Sequence, residues 1–192
     1  MTRCVPAELS RPESTDQLIA AIRAQPRSYE VLVNNAGFGI NGEFAQTDAG
    51  AEVDLLNVQL TAALKLTKAV LPAMIAKGSG RIVNVGSVYC YAPVPFQAVY
   101  SACKAFLLSF SAAIRNELSG SGVTVTVFCP GITQTEFRTR AGIVEKNKTS
   151  GMTAEPPARI AYRGTMRGKA VVIPGMTNRI FVLLAKLLPN SS

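Results

Sequence analysis

The pattern of apolar and polar positions predicts strands and helices in alternation. Short valine-rich runs predict four strands, at residues 30–34, 81–85, 123–128 and 170–173. Between these runs, apolar residues at helical spacing predict helices over residues 12–24, 54–77 and 96–118, and a short apolar helix ends the chain. This order predicts an α/β fold in which helices cover both faces of a parallel sheet.

Capping residues and turn signals place the ends of several elements. Ser10 is a candidate N-cap for the first helix, and Thr47 or Asp48 is suited to cap the second. Residues 2–5 predict the end of a short strand, whereas residues 133–157 show no strong period and are interpreted as irregular or helical.

Ligands of parallel sheets bind at the carboxyl ends of the strands, which here are residues 34–37, 86–87 and 130–131. The glycines at 37, 39 and 42 read G-x-G-x-x-G after a strand, the pattern of a dinucleotide-binding turn. In such a turn the last glycine opens a helix whose N-terminus faces the pyrophosphate. Here the residues suited to cap a helix come only at Thr47 and Asp48, so we interpret the glycines as a loop and not as a phosphate site.

Tyr100 and Lys104 form the pattern Y-x-x-x-K within a predicted helix. Residues four positions apart share one helix face. A free phenol has a pKa of about 10 and is a poor acid or base at neutral pH. A neighbouring ammonium lowers that pKa, so Tyr100 would exchange a proton with a carbonyl or hydroxyl oxygen. On this motif alone, a surface lysine beside a half-buried tyrosine stays open as the alternative.

Two further polar residues stand where they suit the same chemistry. Ser87 follows the strand at 81–85, and its hydroxyl can donate to a carbonyl oxygen of a substrate. Taken alone, a serine at a strand end is equally suited to a turn or a helix cap. Asn57 lies early in the second long helix, where asparagine lowers helix propensity, and a solvated surface position is its alternative.

Together these four residues resemble, in order and approximate spacing, the catalytic set of the short-chain dehydrogenase/reductase family. The resemblance covers nearly the whole chain and implies a Rossmann-like, doubly wound parallel sheet. It implies that Tyr100 is the acid/base and that Lys104 lowers the pKa of Tyr100 and binds the nicotinamide ribose. It also implies that Ser87 orients the substrate oxygen and that Asn57 helps a water molecule relay protons to Lys104.

Two more motifs carry the resemblance and imply a nicotinamide cofactor, without a metal. We expect NADP or NAD, with NADP slightly preferred. Residues 32–37 resemble the N-N-A-G motif of the family, and residues 129–135 resemble its P-G-x-x-x-T. The residues implied to contact the cofactor are Asn35, Ala36, Gly37, Tyr100, Lys104, Pro130, Gly131, Thr133 and Thr135.

The implied reaction is hydride transfer between nicotinamide and the carbonyl or alcohol carbon of a small molecule. The residues after Ser87, at 88–96, are apolar and would line a substrate pocket, with residues 133–160 as its lid. We therefore expect a lipophilic ketone or alcohol.

The glycine-rich T-G-x-x-x-G-x-G that opens the family does not occur in the 192 residues. We expect a single partial domain over residues 1–192, N-terminally truncated by two strand–helix units, or about 50 residues. The strand at 31–33 would then be an exposed apolar edge. Two explanations are open. Either the natural chain begins further upstream, which we favour, or this is an inactive shortened product that acts at most as an interaction or oligomerisation module.

Composition agrees with a globular protein, because 48% of residues are hydrophobic and 17% are charged. The chain has no histidine, and its four cysteines form no C-x-x-C pair, so we expect no metal site. The cysteines are interpreted as buried thiols in a reducing compartment. We expect a cytoplasmic homo-oligomer that does not bind nucleic acid.

The net charge of +8 is concentrated near the C-terminus, where ten Lys or Arg and only two Glu occur from Arg138 onward. An anionic partner or a solvated basic face would explain this uneven charge, and we favour the solvated face because no aromatic residues interleave with the charges.

No segment is expected to reach the roughly 18 apolar residues of a membrane span. A membrane-surface role is a third hypothesis, based on Arg179, Lys186 and the apolar tail.

Overall fold

The computed structural model describes residues 4–25, 28–143 and 151–187. Within them, the strands are β1 (Val31–Asn34), β2 (Gly80–Val85), β3 (Val123–Phe128) and β4 (Val171–Val172). The α-helices are α1 (Pro12–Arg23), α2 (Ala49–Leu56), α3 (Ala62–Lys77), α4 (Ala98–Glu117), α5 (Phe137–Arg140), α6 (Glu155–Met166) and α7 (Met176–Leu187). A π-helical turn (Asn57–Thr61) joins α2 to α3, and a 3₁₀ turn (Val88–Tyr91) follows β2.

The sheet is parallel throughout, and its order is β1-β2-β3-β4. Because the strands run in one direction, their carboxyl ends meet along one edge of the sheet. The residues that follow Asn34, Val85 and Phe128 therefore lie near one another. The predicted α/β, Rossmann-like parallel fold is confirmed.

The main hydrophobic core lies between strands β2 and β3 and helices α3 and α4. Its buried members are Val70, Met74, Ile82, Leu118, Val123 and Val125. Full burial of one such side chain contributes about 1.5–3 kcal/mol to folding. The core therefore fixes the two strands whose carboxyl ends lead into Ser87 and into the Pro130-Gly131 turn.

The second long helix runs without interruption from Ala49 to Lys77 through the π turn. Asp48 caps its start by accepting a hydrogen bond from the Ala51 N–H at 2.8 Å, which confirms one of the two predicted caps. By length and composition this helix is long and apolar enough to cross a membrane. The expectation that no segment would reach that length and hydrophobicity was therefore wrong. Two side chains of this helix, Leu55 and Met74, are nevertheless fully buried inside the domain.

Three local expectations were wrong. Arg11, and not Ser10, is the N-cap of α1, which begins at Pro12 without a side-chain cap. Cys4 and Val5 are not in a strand, and residues 2–3 of that prediction lie outside the described residues. Helix α6 was missed because the two prolines in its first turn suggest a break, although proline is tolerated at a helix start.

Strand β1 leaves an apolar surface uncovered. Val31 and Val33 keep 42% and 55% of their surface exposed, whereas Leu32 packs against the main core. Because side chains alternate along a strand, both valines point to the same face of the sheet. The exposed apolar edge predicted at 31–33 is confirmed for the described residues.

Candidate active site

Ser87 lies just beyond the carboxyl end of β2, as the N-cap of the 3₁₀ turn. Its hydroxyl accepts a hydrogen bond from the Tyr89 N–H at 3.2 Å. Gly86, just before Ser87, lets the backbone pass close to the Cys90 side chain, because a Cβ on Gly86 would lie 2.8 Å from the Cys90 Sγ. A hydroxyl can accept and donate at once, and the Ser87 hydroxyl also lowers the pKa of the Tyr100 phenol.

Tyr100 lies in the first turn of α4 and is buried. Its ring meets Tyr89 edge-on, with ring centroids 6.4 Å apart, and packs on Phe137 with centroids 5.3 Å apart. Burial raises the pKa of the Tyr100 phenol above its ordinary value, and the hydrogen bond from Ser87 only partly opposes this. At neutral pH the phenol is therefore protonated and can donate a proton.

Lys104 lies one helical turn after Tyr100 and is also buried. Its Nζ donates a hydrogen bond to the Val85 carbonyl at 2.8 Å and lies 5.3 Å from the centroid of the Tyr100 ring. Burial lowers the pKa of the Lys104 ammonium to about 8. At neutral pH the ammonium therefore keeps its charge, between the last carbonyl of β2 and the tyrosine ring.

The expected lowering of the Tyr100 pKa by Lys104 is not found. Burial of the phenol raises its pKa more than the contact with Ser87 lowers it, so the pKa of Tyr100 is above its ordinary value. The hydrogen bond of Lys104 is directed to Val85, and the ammonium faces the ring. The helical spacing correctly predicted a shared face, but the burial comes from Tyr89 and Phe137, which lie in other segments.

Asn57 begins the π turn, and its side chain is engaged elsewhere. Its Nδ2 donates to the Ser10 carbonyl at 3.0 Å, and its Oδ1 accepts a bond from Thr61 at 3.5 Å. The next two residues, Val58 and Gln59, line a cavity that also borders Lys104. The structure therefore brings the backbone near Asn57 toward the cluster, and its part in a water relay stays a prediction.

That cavity, of about 80 Å³, lies where the carboxyl ends of β1 and β2 meet α3 and α4. Two buried amide oxygens beside it, Asn34 Oδ1 and Gln59 Oε1, have no hydrogen-bond partner. Buried polar atoms of this kind suit a polar ligand or ordered water. The predicted cofactor residues Asn35 and Ala36 line the same cavity, whereas Gly37 packs against Gln59 instead, where a Cβ would meet Cδ at 3.4 Å.

The turn after β3 carries the other predicted cofactor residues. The Pro130 carbonyl accepts a hydrogen bond from the Val88 N–H at 3.0 Å, which joins this turn to the 3₁₀ turn. Thr133 Oγ1 donates to the Gly131 carbonyl at 3.1 Å, and Thr135 Oγ1 accepts a bond at the start of α5. Both threonines therefore stabilise the local backbone, and their contact with a cofactor stays a prediction.

Phe137, in the part of the predicted lid at residues 133–143, packs on Tyr100. The other described part, residues 151–160, leads into α6, which packs against β3 and β4. Phe137 reaches Tyr100 because Gly39 leaves room, since a Cβ on Gly39 would lie 3.0 Å from the Phe137 ring. Residues 37–42 open no helix, which confirms that these glycines form a loop. Residues 144–150 of the predicted lid lie outside the described residues. No sequence signal marked Phe137.

A pair of buried thiols adjoins Ser87 and was not foreseen. The Sγ atoms of Cys90 and Cys129 lie 3.9 Å apart, and the Ser87 N–H donates to Cys90 Sγ at 3.4 Å. Cys103 is also buried, as expected, whereas Cys4 is exposed.

Among the described residues no group of three or more His, Cys, Asp or Glu is arranged to hold a metal ion.

Ser87, Tyr100 and Lys104 thus lie together at the carboxyl edge of the parallel sheet. Comparison with protein-family models identifies the family to which the chain belongs. The family model described as short chain dehydrogenase matches residues 1–145, which is well over half of the chain. The chain belongs to the short-chain dehydrogenase family. The resemblance read from the motifs is therefore confirmed at the level of the family.

Several short-chain dehydrogenases resemble this one. The ketoacyl reductase HetN of a Nostoc species is 37% identical over 159 residues, which cover 83% of this chain and 55% of HetN. The 3-oxoacyl-[acyl-carrier-protein] reductase FabG of Escherichia coli is 34% identical over 147 residues, covering 77% of this chain and 59% of FabG. The chain thus spans little more than half the length of these curated relatives.

A solved short-chain dehydrogenase from Sphingobium yanoikuyae, in complex with NADPH, shares the fold. Its TM-score is 0.83 at 32% identity, and the match covers 97% of this chain and 76% of that one.

Proposed function

We propose that this chain carries the catalytic residues of an NAD(P)-dependent oxidoreductase that reduces a ketone to an alcohol. The observation that carries the proposal is the cluster of Ser87, Tyr100 and Lys104 at the carboxyl end of β2. It brings a hydroxyl donor, a protonated phenol and an ammonium to one place. Family membership and the ketoacyl reductases among the relatives support the same reaction class.

Tyr100 donates its proton to the substrate oxygen as that oxygen gains negative charge. The raised pKa keeps the phenol protonated until then, and transfer is favourable because an alkoxide is more basic than a phenolate. Ser87 donates its hydroxyl hydrogen to the same substrate oxygen and stabilises the charge. The ammonium of Lys104, held at the ring by Val85, stabilises the phenolate that remains.

A nicotinamide cofactor, when bound, supplies the hydride. We propose that Asn35, Ala36 and Lys104 hold its nicotinamide end, because they border one cavity that contains unpartnered amide oxygens. Pro130 and Gly131 lie at the neighbouring strand end. The NADPH complex of the Sphingobium relative supports a nicotinamide cofactor, and the preference for NADP over NAD stays a prediction.

We propose a lipophilic ketone such as a 3-oxoacyl chain as the substrate. Several apolar side chains pack against the cluster of Tyr100, Leu55 and Cys103, namely Phe38, Ile40, Leu60, Tyr89, Val99 and Phe137. A substrate site bordered by these side chains suits an apolar chain and excludes water from the reacting oxygen.

Substitution of Tyr100 tests the proposal. Tyr100→Phe removes only the phenolic hydroxyl, so we expect NADPH oxidation with a 3-oxoacyl thioester to fall about 10²–10⁴-fold while the thermal midpoint changes little. The matched control is Tyr162→Phe, because Tyr162 is 67% exposed on α6, and its rate should equal that of the unchanged chain. Equal rates for the two variants would overturn the assignment of Tyr100.

We also propose a homo-oligomer, supported by exposed apolar side chains on two long helices, Ile75 of α3 and Phe106 of α4. Light scattering after size-exclusion chromatography measures the mass of the particle. A monomer at micromolar concentration would contradict this proposal.

A further inference from the structure

Helices α6 and α7 and the open side of β4 form a strongly basic surface, which we name the α6–α7 surface. It contains an open cleft of about 520 Å³. Five exposed cations line this cleft: Arg163, Arg167, Lys169, Arg179 and Lys186. None of the described residues that line the cleft is acidic. The sole acidic residue between 151 and 187 is Glu155, which pairs with Arg159 at 2.7 Å on α6 itself.

Helix α7 adds an exposed apolar face beside these cations. Ile180, Leu183, Leu184 and Leu187 are exposed by 51%, 58%, 52% and 71%. Their spacing of three and four residues puts them on one face of the helix. An exposed apolar patch bordered by charge marks an interaction site, and the partner must suit both features.

The contacts of α7 fix the orientation of this face. Lys186 Nζ lies 5.0 Å from the centroid of the Tyr91 ring in the 3₁₀ turn. Near the start of α7, Arg179 Nε donates to the Ile173 carbonyl at 3.1 Å. Val182 is buried against the domain, so the opposite side of the helix, with Leu183, Leu184 and Leu187, stays in solvent.

We propose that the α6–α7 surface binds a lipid bilayer that contains anionic headgroups. The leucines of α7 enter the boundary between headgroups and acyl chains, and the cations of the cleft contact lipid phosphates. An amphipathic helix with basic residues beside its apolar face lies in a membrane interface in this way. Anionic leaflets attract basic side chains near their surface. This binding is independent of the reaction proposed above.

A second copy of the chain suits the surface less well. A two-fold contact over the α6–α7 surface would place this basic surface against its own copy, and like charges across an interface oppose association. An acidic protein would match the charges but would have to cover a protruding row of leucines as well. A bilayer satisfies both features at once.

Co-sedimentation of the full chain with vesicles tests the proposal. We expect binding to phosphatidylcholine vesicles that contain phosphatidylglycerol, little binding to phosphatidylcholine alone, and release by about 0.5 M salt. The variant Arg163→Gln/Arg167→Gln/Lys169→Gln should bind about 100-fold more weakly. The matched control, Arg11→Gln/Arg23→Gln/Lys68→Gln, removes three exposed cations elsewhere and should lose far less. Equal losses would show that net charge alone acts and would overturn the proposal.

A tryptophan placed on α7 reports insertion directly, because the chain has none. Leu184→Trp should shift to shorter wavelength with anionic vesicles and should be quenched by lipids brominated on their acyl chains. Phe44→Trp, at an exposed site in the loop before α2, should show neither effect. Absence of quenching at Leu184→Trp overturns the proposal. So does a doubling of mass that Leu183→Ser/Leu187→Ser abolishes, or binding to an acidic carrier protein without vesicle binding. Circular dichroism confirms that each variant is folded.

Discussion

Two neighbouring strand ends of one sheet differ in how tightly their functional residues are held. Beyond β2, Ser87, Tyr100 and Lys104 are connected by hydrogen bonds and ring contacts to the 3₁₀ turn, α5 and β2. Beyond β1, the backbone of residues 35–37 is exposed, and the strand before it shows two valines to solvent. Ser87, Tyr100 and Lys104 are thus held by contacts among β2, α4 and α5, whereas the loop at residues 35–37 is open in the described residues.

Within this comparison, the largest difference in kinetic constants is expected between substitutions of Ser87, beyond β2, and Asn35, beyond β1. Ser87→Ala removes the donor to the substrate oxygen, so kcat should fall about 10²–10³-fold with little change in the KM for NADPH. Asn35→Ala changes the open loop, so it should raise that KM and leave kcat within about tenfold. Steady-state kinetics with both substrates varied separates the two patterns. A loss of kcat in Asn35→Ala as large as in Ser87→Ala would break the comparison.

A second effect follows from the burial of Lys104. Its folded-state pKa of about 8 lies below the ordinary 10.5, so between these pH values the unfolded chain binds more protons. Stability contributed by this group therefore rises with pH across that window. Relative to Lys104→Met, the free energy of unfolding of the unchanged chain should increase by about 3 kcal/mol between pH 7 and pH 10.5.

Urea unfolding at the two pH values measures this difference. Lys77→Met is the control, because Lys77 forms an exposed pair with Glu30 at 2.9 Å on the surface. A difference between the unchanged chain and Lys104→Met that does not vary with pH would show that Lys104 is not buried in solution.

The smallest effects compare valines that differ in burial. Val125→Thr places a hydroxyl in the main core and should cost about 1–3 kcal/mol of unfolding free energy. Val33→Thr makes the same change on the exposed edge of β1 and should stay within about 0.5 kcal/mol. It should also reduce aggregation, since a bare apolar edge invites strand pairing. A cost at Val33 equal to that at Val125 would mean that something covers β1 in solution.

The sequence predicted the sheet and the grouping of Ser87, Tyr100 and Lys104 because both depend on local pattern. Valine-rich runs and helical spacing marked the strands and α4, and the spacing of Tyr100 and Lys104 followed from the helix. Ser87 was placed because a residue after a parallel strand must lie at the ligand-binding edge.

Features that depend on contacts between distant segments could not be predicted in this way. Phe137 covers Tyr100 from a segment without strong periodicity, and burial of Tyr100 reverses the expected direction of its pKa. The thiols of Cys90 and Cys129 meet across 39 residues of sequence. The amide of Asn57 bonds to Ser10, which no spacing rule relates to it.

The most direct test compares binding of reduced nicotinamide mononucleotide and of NADPH to the folded chain, followed by nicotinamide fluorescence. The cavity beside Lys104 suits the nicotinamide end, and the 192 residues contain no glycine-rich phosphate turn. The account therefore predicts that both ligands bind with similar affinity, and that Lys104→Met weakens both while Lys77→Met weakens neither. Failure of the mononucleotide to bind, or NADPH binding more than about 100-fold tighter, would contradict it.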